Sequence, residues 1–181
     1  MKVLVTHSFK YEFDGNGKPI GDPGMTPEGM KAIADLAPVI FGLFPNGKPD
    51  HVVSATGRRH TDIADALELE VNRHTVALGG PDSLVTIDGK KKIVLASGRV
   101  VPHGEDVYSS GVTPEGVEGE IRKAPDNTFF CIGRPTLLFG LKLPKDQAKS
   151  GAVYEIKEEG SKTSLVLIED GVNLNDGGER V

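Results

Sequence analysis

The chain has 181 residues, of which 38% are hydrophobic and 26% charged, as expected of a globular domain large enough to bury a core. The formal net charge of −5 argues against a broad nucleic-acid-binding surface, and the single cysteine, Cys131, excludes an internal disulfide framework and a cluster of cysteine ligands for zinc. The apolar start of about five residues is too short for a secretory signal, and no run approaches the ~18 apolar residues of a membrane span, so we expect a cytoplasmic protein without a membrane partner.

The predicted elements alternate between strands and helices. In the first half they are a strand at 2–6, a long loop at 8–24, a helix from 27 to 44 that bends at Pro38, a strand at 51–54 and a helix at 58–70. In the second half they are strands at 83–88 and 92–97, a short helix after Thr113, a strand at 128–132, a helix at 135–142 and strands at 152–157 and 163–168.

These elements predict one α/β domain over residues 1–181, with a frayed polar tail at 172–181. We expect a three-layer α/β/α sandwich whose central sheet is mainly parallel. The C-terminal hairpin around Glu159-Gly160-Ser161 is expected to add an antiparallel edge to that sheet. The two copies of Thr-Pro-Glu-Gly, which begin at Thr26 and Thr113, are interpreted as two independent helix starts.

Two predicted strands end in residues that suit an anion. The first strand delivers His7, and the strand at 51–54 leads through a turn of small residues to Arg58 and Arg59 at the start of a helix. In an open α/β sheet, ligands bind outside the carboxyl ends of the strands. A pocket there would suit a phosphate, with an imidazole nitrogen as nucleophile and guanidinium groups for the oxygens. The alternatives are a structural histidine and an exposed pair of arginines.

Four segments in the same order resemble the histidine phosphatase superfamily, which has the phosphoglycerate-mutase-like fold. They are Leu4-Val5-Thr6-His7-Ser8, Met25-Thr26-Pro27-Glu28-Gly29, Val52-Val53-Ser54 with the arginine helix that follows, and Phe130-Cys131-Ile132-Gly133-Arg134-Pro135. The resemblance covers most of the chain. It implies the three-layer fold and the hydrolysis of phosphomonoesters through a phosphohistidine, with no metal and no organic cofactor.

The resemblance also implies roles for individual residues. His7 falls on the nucleophile. Arg59 falls on a phosphate-binding arginine if the helix is aligned through Ala64, whereas counting from Ser54 selects Arg58. Glu105, in an acidic group of the central loop, is the candidate general acid, and a solvated loop is the alternative.

The chain departs from the superfamily pattern at three positions of the expected phosphate site. Thr6 stands where the superfamily has an arginine, Arg134 where it has a second histidine, and Ser8 where it has a glycine. We expect Thr6, Ser8 and Arg134 to line the phosphate pocket. Arg134 would restore the charge lost at Thr6, although it could instead pair with a surface carboxylate.

These departures leave more than one functional hypothesis open. The first is a phosphatase with weak or altered activity toward a phosphorylated small molecule or phosphopeptide, because a threonine donates one neutral hydrogen bond where a charged fork is expected. The second is a non-catalytic module that binds a phosphorylated metabolite or phosphopeptide. The third is a scaffold with a vestigial pocket. The sequence sets neither the substrate nor the oligomeric state.

Overall fold

The computed structural model describes residues 1–7, 24–79, 83–94, 100–102 and 112–170. The strands are β1 Lys2–Thr6, β2 His51–Ser54, β3 Arg73–His74, β4 Ser83–Ile87, β5 Lys90–Val94, β6 Val100–Pro102, β7 Thr128–Ile132, β8 Val153–Glu159 and β9 Lys162–Glu169. The α-helices are α1 Pro27–Ala34, α2 Ala37–Gly42, α3 Arg58–Ala66 and α4 Pro114–Lys123. A 3₁₀ turn spans Val76–Leu78 and a π-helix spans Thr136–Gly140.

A six-stranded sheet forms the centre of the fold, in the order β3-β2-β7-β1-β8-β9. The first four strands in that order pair in parallel. Strand β8 pairs antiparallel with β1, and β9 pairs antiparallel with β8. The predicted architecture, a mainly parallel sheet with an antiparallel edge from the C-terminal hairpin, is therefore confirmed.

Both faces of this sheet are covered, as a three-layer sandwich requires. Successive residues of a strand point to opposite faces, and Phe129 and Phe130 of β7 accordingly belong to different apolar clusters. The Phe129 cluster includes α1, α2 and α3, whereas the Phe130 cluster includes α4 and the π-helix. Because β1 and β7 lie in the middle of the sheet and are buried along their whole length, the positions where they end are well fixed.

The two Thr-Pro-Glu-Gly segments begin α1 and α4 in the same way. Thr26 accepts a hydrogen bond from Gly29 N, and Thr113 accepts one from Gly116 N. Each proline takes a first-turn position, where its missing N–H is not needed. The predicted bend at Pro38 is a full break, because α1 ends at Ala34 and α2 begins at Ala37.

Several element boundaries differ from the prediction. Helix α3 ends at Ala66 rather than residue 70, and Glu68 beyond it has a left-handed φ of 56°. The predicted helix at 135–142 is a five-residue π-helix, beyond which Lys142 has a φ of 55°. A left-handed residue cannot continue a right-handed helix, so both turns end where the backbone reverses.

The central hairpin differs from the prediction in its register and in its partner strand. Asp88 and Gly89 form its turn, with φ of 52° and 75°. Two positive φ values fit the two-residue hairpin turn that Asp-Gly favours, so Lys90 already belongs to β5. Strand β6, which the sequence did not predict, pairs with β5 in a separate three-stranded sheet. Among the described residues, no helix is long and apolar enough to cross a membrane.

Candidate phosphoryl site

The candidate site lies where three neighbouring parallel strands end. Strand β7 pairs with β2 on one side and with β1 on the other, with Ile132 opposite Thr6 and Cys131 opposite Ser54. The residues that follow these strands therefore emerge at one edge of the sheet. They include His7 after β1, the first turn of α3 after β2, and Gly133 and Arg134 after β7. This is the carboxyl edge at which α/β sheets bind ligands.

His7 is held at this edge by its own backbone. Its N–H donates to the Ile132 carbonyl over 3.2 Å, and its carbonyl accepts from Gly151 N over 3.1 Å. The residue is 2% exposed. These two hydrogen bonds fix the backbone position from which the imidazole extends. A group that must be held in place for a reaction needs such a fixed position.

A second histidine, His60, packs against His7. It lies in the first turn of α3 and is 3% exposed. The two rings meet edge to face, with their centroids 5.2 Å apart and their planes 62° apart. The sequence analysis did not identify His60 as a site residue, although a signal was present: His60 stands at helical spacing from Ile63, Ala64 and Leu67, which continue one apolar face through the end of α3.

The environment of His60 keeps its ring uncharged. Burial, followed by the positive charge of Arg59 and the nearby His7, holds the pKa of His60 well below its usual value. Its Nδ1 atom is buried and has no hydrogen-bond partner within the described part of the chain. A neutral imidazole carries one N–H and one lone pair, so it can donate one hydrogen bond and accept another.

Gly133 lies beneath both histidines. A methyl carbon added at Gly133 would lie 2.9 Å from His60 Nε2 and 3.1 Å from His7 Nε2. Both distances are shorter than an ordinary contact between carbon and nitrogen atoms that are not bonded to each other. Any side chain at position 133 would therefore displace an imidazole ring. Both rings therefore pack closely against the Gly133 backbone after β7, an approach that requires a residue without a side chain.

The two arginines of α3 have different surroundings. Arg59 is 9% exposed, and its charge acts on the buried His60 ring. Arg58 is exposed and lies with Asp62 beside Gly24, where an added methyl carbon would be 2.9 Å from Arg58 Nε and 2.6 Å from Asp62 Oδ2. This arrangement favours Arg59 over Arg58 as the arginine that acts at the histidine pair.

Thr6 and Arg134 make bonds that the sequence did not predict. The Thr6 hydroxyl donates to the Lys149 carbonyl over 2.8 Å and accepts from Ala152 N over 3.1 Å. Arg134 Nε donates to the Ala148 carbonyl over 2.6 Å, and its Nη2 donates to the Lys145 carbonyl over 3.1 Å. Both residues therefore fasten segment 145–152 to the sheet edge. The single hydroxyl proton of Thr6 is donated to the Lys149 carbonyl in this arrangement, and its place in a phosphate pocket stays a prediction.

Two predicted site residues lie outside the described residues. They are Ser8, which follows His7 directly in the sequence, and Glu105, the candidate general acid. Their roles stay predictions.

The lowered pKa of His60 has a consequence for stability. Below the usual histidine pKa of about 6.5, the unfolded chain binds a proton at this position that the folded chain does not bind. The unfolding free energy should therefore fall as the pH drops below 6.5, by up to about 1.4 kcal/mol per pH unit from this group. Urea unfolding of the wild type and of His60→Leu at pH 7.5, 6 and 5 measures this contribution.

The leucine variant should lose less stability than the wild type over this pH range. The control is His74→Leu, since His74 is exposed on β3. That variant should follow the wild type. Equal pH dependence in His60→Leu and the wild type would show that the His60 ring titrates in the folded chain as it does in the unfolded one.

Structural comparison places this arrangement in a known fold. No protein-family model matches the chain, and no curated protein matches its sequence. Solved structures do match. The protein of open reading frame Rv3214 from Mycobacterium tuberculosis has a TM-score of 0.58 and 12% identity, covering 93% of this chain and 96% of its own. A mycobacterial glucosyl-3-phosphoglycerate phosphatase has a TM-score of 0.54 and 16% identity, covering 92% and 97%.

A third match extends the comparison beyond mycobacteria. Phosphoserine phosphatase from Entamoeba histolytica, solved with 3-phosphoglyceric acid, has a TM-score of 0.56 and 14% identity, covering 92% of this chain and 95% of its own. At such identities the likeness establishes the fold alone. The chain has a phosphoglycerate-mutase-like α/β fold, which confirms the fold that the four sequence segments implied.

Proposed function

We propose that this chain binds phosphomonoesters at the carboxyl edge of β1, β7 and β2 and hydrolyses them through a phosphohistidine at His7. One observation carries the proposal. The buried His7 follows a central strand and its ring packs against His60, on which the charge of Arg59 from the first turn of α3 acts. The likeness in fold to a phosphoserine phosphatase and a glucosyl-3-phosphoglycerate phosphatase supports the same chemistry.

The proposed reaction has two steps. A ring nitrogen of His7 attacks phosphorus, the bond from phosphorus to the ester oxygen breaks, and the leaving oxygen takes a proton from a general acid, for which Glu105 is our candidate. Water then attacks the phosphohistidine and gives one proton back to the general acid, the P–N bond breaks and inorganic phosphate leaves. Phosphoryl transfer depends chiefly on positioning and on stabilising the charge of the transferred group. Arg59 would supply that charge.

We expect slow turnover of simple phosphomonoesters. The Thr6 hydroxyl already forms hydrogen bonds with the Lys149 carbonyl and with Ala152 N. Two nitrogens of Arg134 donate hydrogen bonds to carbonyls of segment 145–152. Loss of one preorganised donor typically lowers the rate of such a site by about 10²–10³. Phosphate release from phosphoserine, 3-phosphoglycerate and an aryl phosphate, measured with the wild type in the presence of chelator, tests the activity.

The two arginines of α3 provide a matched test of the binding site. Arg59→Ala should weaken the binding of inorganic phosphate about ten- to hundredfold, because hydrogen bonds to charged groups contribute about 1.5–3 kcal/mol. Arg58→Ala removes the same charge from the same helix turn but should weaken binding less than threefold. Titration calorimetry with phosphate measures both variants. A larger loss in Arg58→Ala would assign the clamp to Arg58.

A second candidate function is a non-catalytic module that binds a phosphorylated metabolite or phosphopeptide. The bonds of Thr6 and Arg134 to segment 145–152 favour it, because these residues then serve the scaffold instead of the reacting group. This alternative predicts that the wild type binds phosphate, with the same dependence on Arg59, and releases none from any of the three substrates.

A further inference from the structure

The outer edge of β9 supports an inference that does not depend on the proposed function. We propose that β9 pairs antiparallel with β9 of a second copy of this chain, so that two six-stranded sheets join into one across a twofold axis. Strand β9 is the last in the sheet order, and its inner edge pairs with β8. Among the described residues, no strand pairs with its outer edge. Such an edge presents a row of N–H and C=O groups that another strand can bind.

The charges of the last two strands are arranged differently from those of a protected edge. Proteins that keep a sheet edge unpaired often place charged residues, especially lysine, along the edge strand. Here the inner strand β8 carries four charged residues among its seven, whereas β9 carries only Lys162 and Glu169, one at each end. The residues between them, 163–168, include no charge, glycine or proline. This uncharged stretch lacks the usual protection and suits a strand that is paired on both sides.

Most of this stretch is regular enough to act as a template. Residues 162–167 pair with β8 without a break, from Lys162 opposite Glu159 to Leu167 opposite Tyr154. The register shift of the hairpin comes after Leu167, where Glu169 pairs with Val153. Because a bulge disrupts pairing only where it lies, the six residues before it keep a regular ladder. At about 3.3 Å per residue they offer an edge roughly 20 Å long.

Two exposed apolar side chains indicate how a partner would approach this edge. Val166 and Leu167 are 45% and 41% exposed, and they are the only exposed large hydrophobic residues in the described part of the six-stranded sheet. Val166 pairs with Glu155 and Leu167 with Tyr154, so the two side chains point to opposite faces of the sheet. A strand added in the plane of the sheet would cover part of both. A partner lying against one face would cover only one of them, so the pattern favours strand addition.

The charged ends of β9 identify the added strand as a second copy of itself. Lys162 begins the strand and Glu169 ends it, and both are exposed. When two copies run antiparallel, each Lys162 lies near Glu169 of the partner subunit, and two pairs of opposite charges form. In a parallel arrangement like charges would meet, which destabilises a strand pair. A twofold contact of this kind also closes on itself, so the assembly is a dimer and does not grow further.

The wild type provides the first test. A contact through one strand buries less surface than the ~1,200 Å² at which stable interfaces begin, so we expect a reversible dimer with a Kd on the order of 10–100 µM. Sedimentation velocity at concentrations from about 5 to 500 µM should show the change from monomer to dimer. Hydrogen exchange of the β9 backbone amides should slow as the concentration rises. A wild type that stays monomeric throughout this range would overturn the proposal.

Val166→Lys and its matched control, Val76→Lys, locate the contact. A lysine in the middle of β9 brings two like charges together across the twofold axis, so Val166→Lys should weaken dimerisation at least about tenfold. Val76 is 60% exposed in the 3₁₀ turn after β3, at the opposite edge of the sheet, so Val76→Lys should dimerise like the wild type. A dimer that survives Val166→Lys, or one that Val76→Lys disrupts, would place the contact elsewhere and overturn the proposal.

Reversal of the end charges tests the antiparallel arrangement. Lys162→Glu alone and Glu169→Lys alone each bring like charges together and should weaken dimerisation about two- to tenfold. The double variant restores opposite charges and should dimerise within about twofold of the wild type. An equimolar mixture of the two single variants should form heterodimers more tightly than either variant forms homodimers. A double variant that dimerises no better than the single variants would rule out antiparallel pairing of β9 with itself.

Discussion

His7→Ala should abolish phosphate release, with a fall of about 10³-fold or more in kcat/KM. In the proposed covalent mechanism His7 is the nucleophile, and its removal leaves only the binding and charge stabilisation that the rest of the site provides. Steady-state phosphate release from the most active substrate measures the loss.

The matched control for this variant is His74→Ala. His74 is exposed on the edge strand β3 and should be replaceable without effect on turnover. A second readout is the phosphohistidine itself, which an alkaline quench during turnover should preserve in the wild type and in His74→Ala. Turnover of His7→Ala within tenfold of the wild type, or an unchanged phosphohistidine signal, would remove His7 from the nucleophile role.

Gly133→Ala should lower turnover by about 10²-fold. The new methyl carbon would stand 2.9 Å from His60 Nε2 and 3.1 Å from His7 Nε2, so at least one of the rings must move. Misplacement of a reacting group by about 1 Å can cost this much in rate. Overpacking of a buried site also costs about 1–3 kcal/mol in stability. Phosphate release and urea unfolding of the variant measure the two effects.

Gly119→Ala controls for the general effect of an added methyl group. Gly119 lies in α4 with open space where its side-chain carbon would stand. There the substitution should stabilise the fold by about 0.5–1 kcal/mol, because alanine is the better helix former, and it should not change turnover. If Gly133→Ala behaves like Gly119→Ala, then the two imidazoles do not meet above the end of β7.

Much of the fold could be predicted because strong local signals coincide with the elements that build the sheet. Strands β1 and β7 are short apolar runs buried on both faces, and the caps at Thr26 and Thr113 begin helices where expected. Strand β6 was missed because three residues in a polar, glycine-rich region carry little period-2 signal. Its place is set by pairing with β5, which is a tertiary effect.

The candidate site could be predicted only in part. The strand ends and the arginine helix give the positions of His7 and Arg59, because the end of a strand and the start of a helix are local features. The bonds of Thr6 and Arg134 could not be foreseen, since they depend on where segment 145–152 returns to the sheet. The burial of His60 could have been predicted from the sequence, because its position falls on the apolar stripe of α3.

A crystal structure with orthovanadate tests the central claim most directly. Vanadate takes the five-coordinate geometry of a phosphoryl group in transfer, so it reports the nucleophile and the oxygen ligands together. Our account predicts vanadium bonded to a ring nitrogen of His7, with Arg59 hydrogen-bonded to its oxygens. Vanadate bound away from His7, or crystals in which this edge of the sheet stays empty at saturating vanadate, would contradict it.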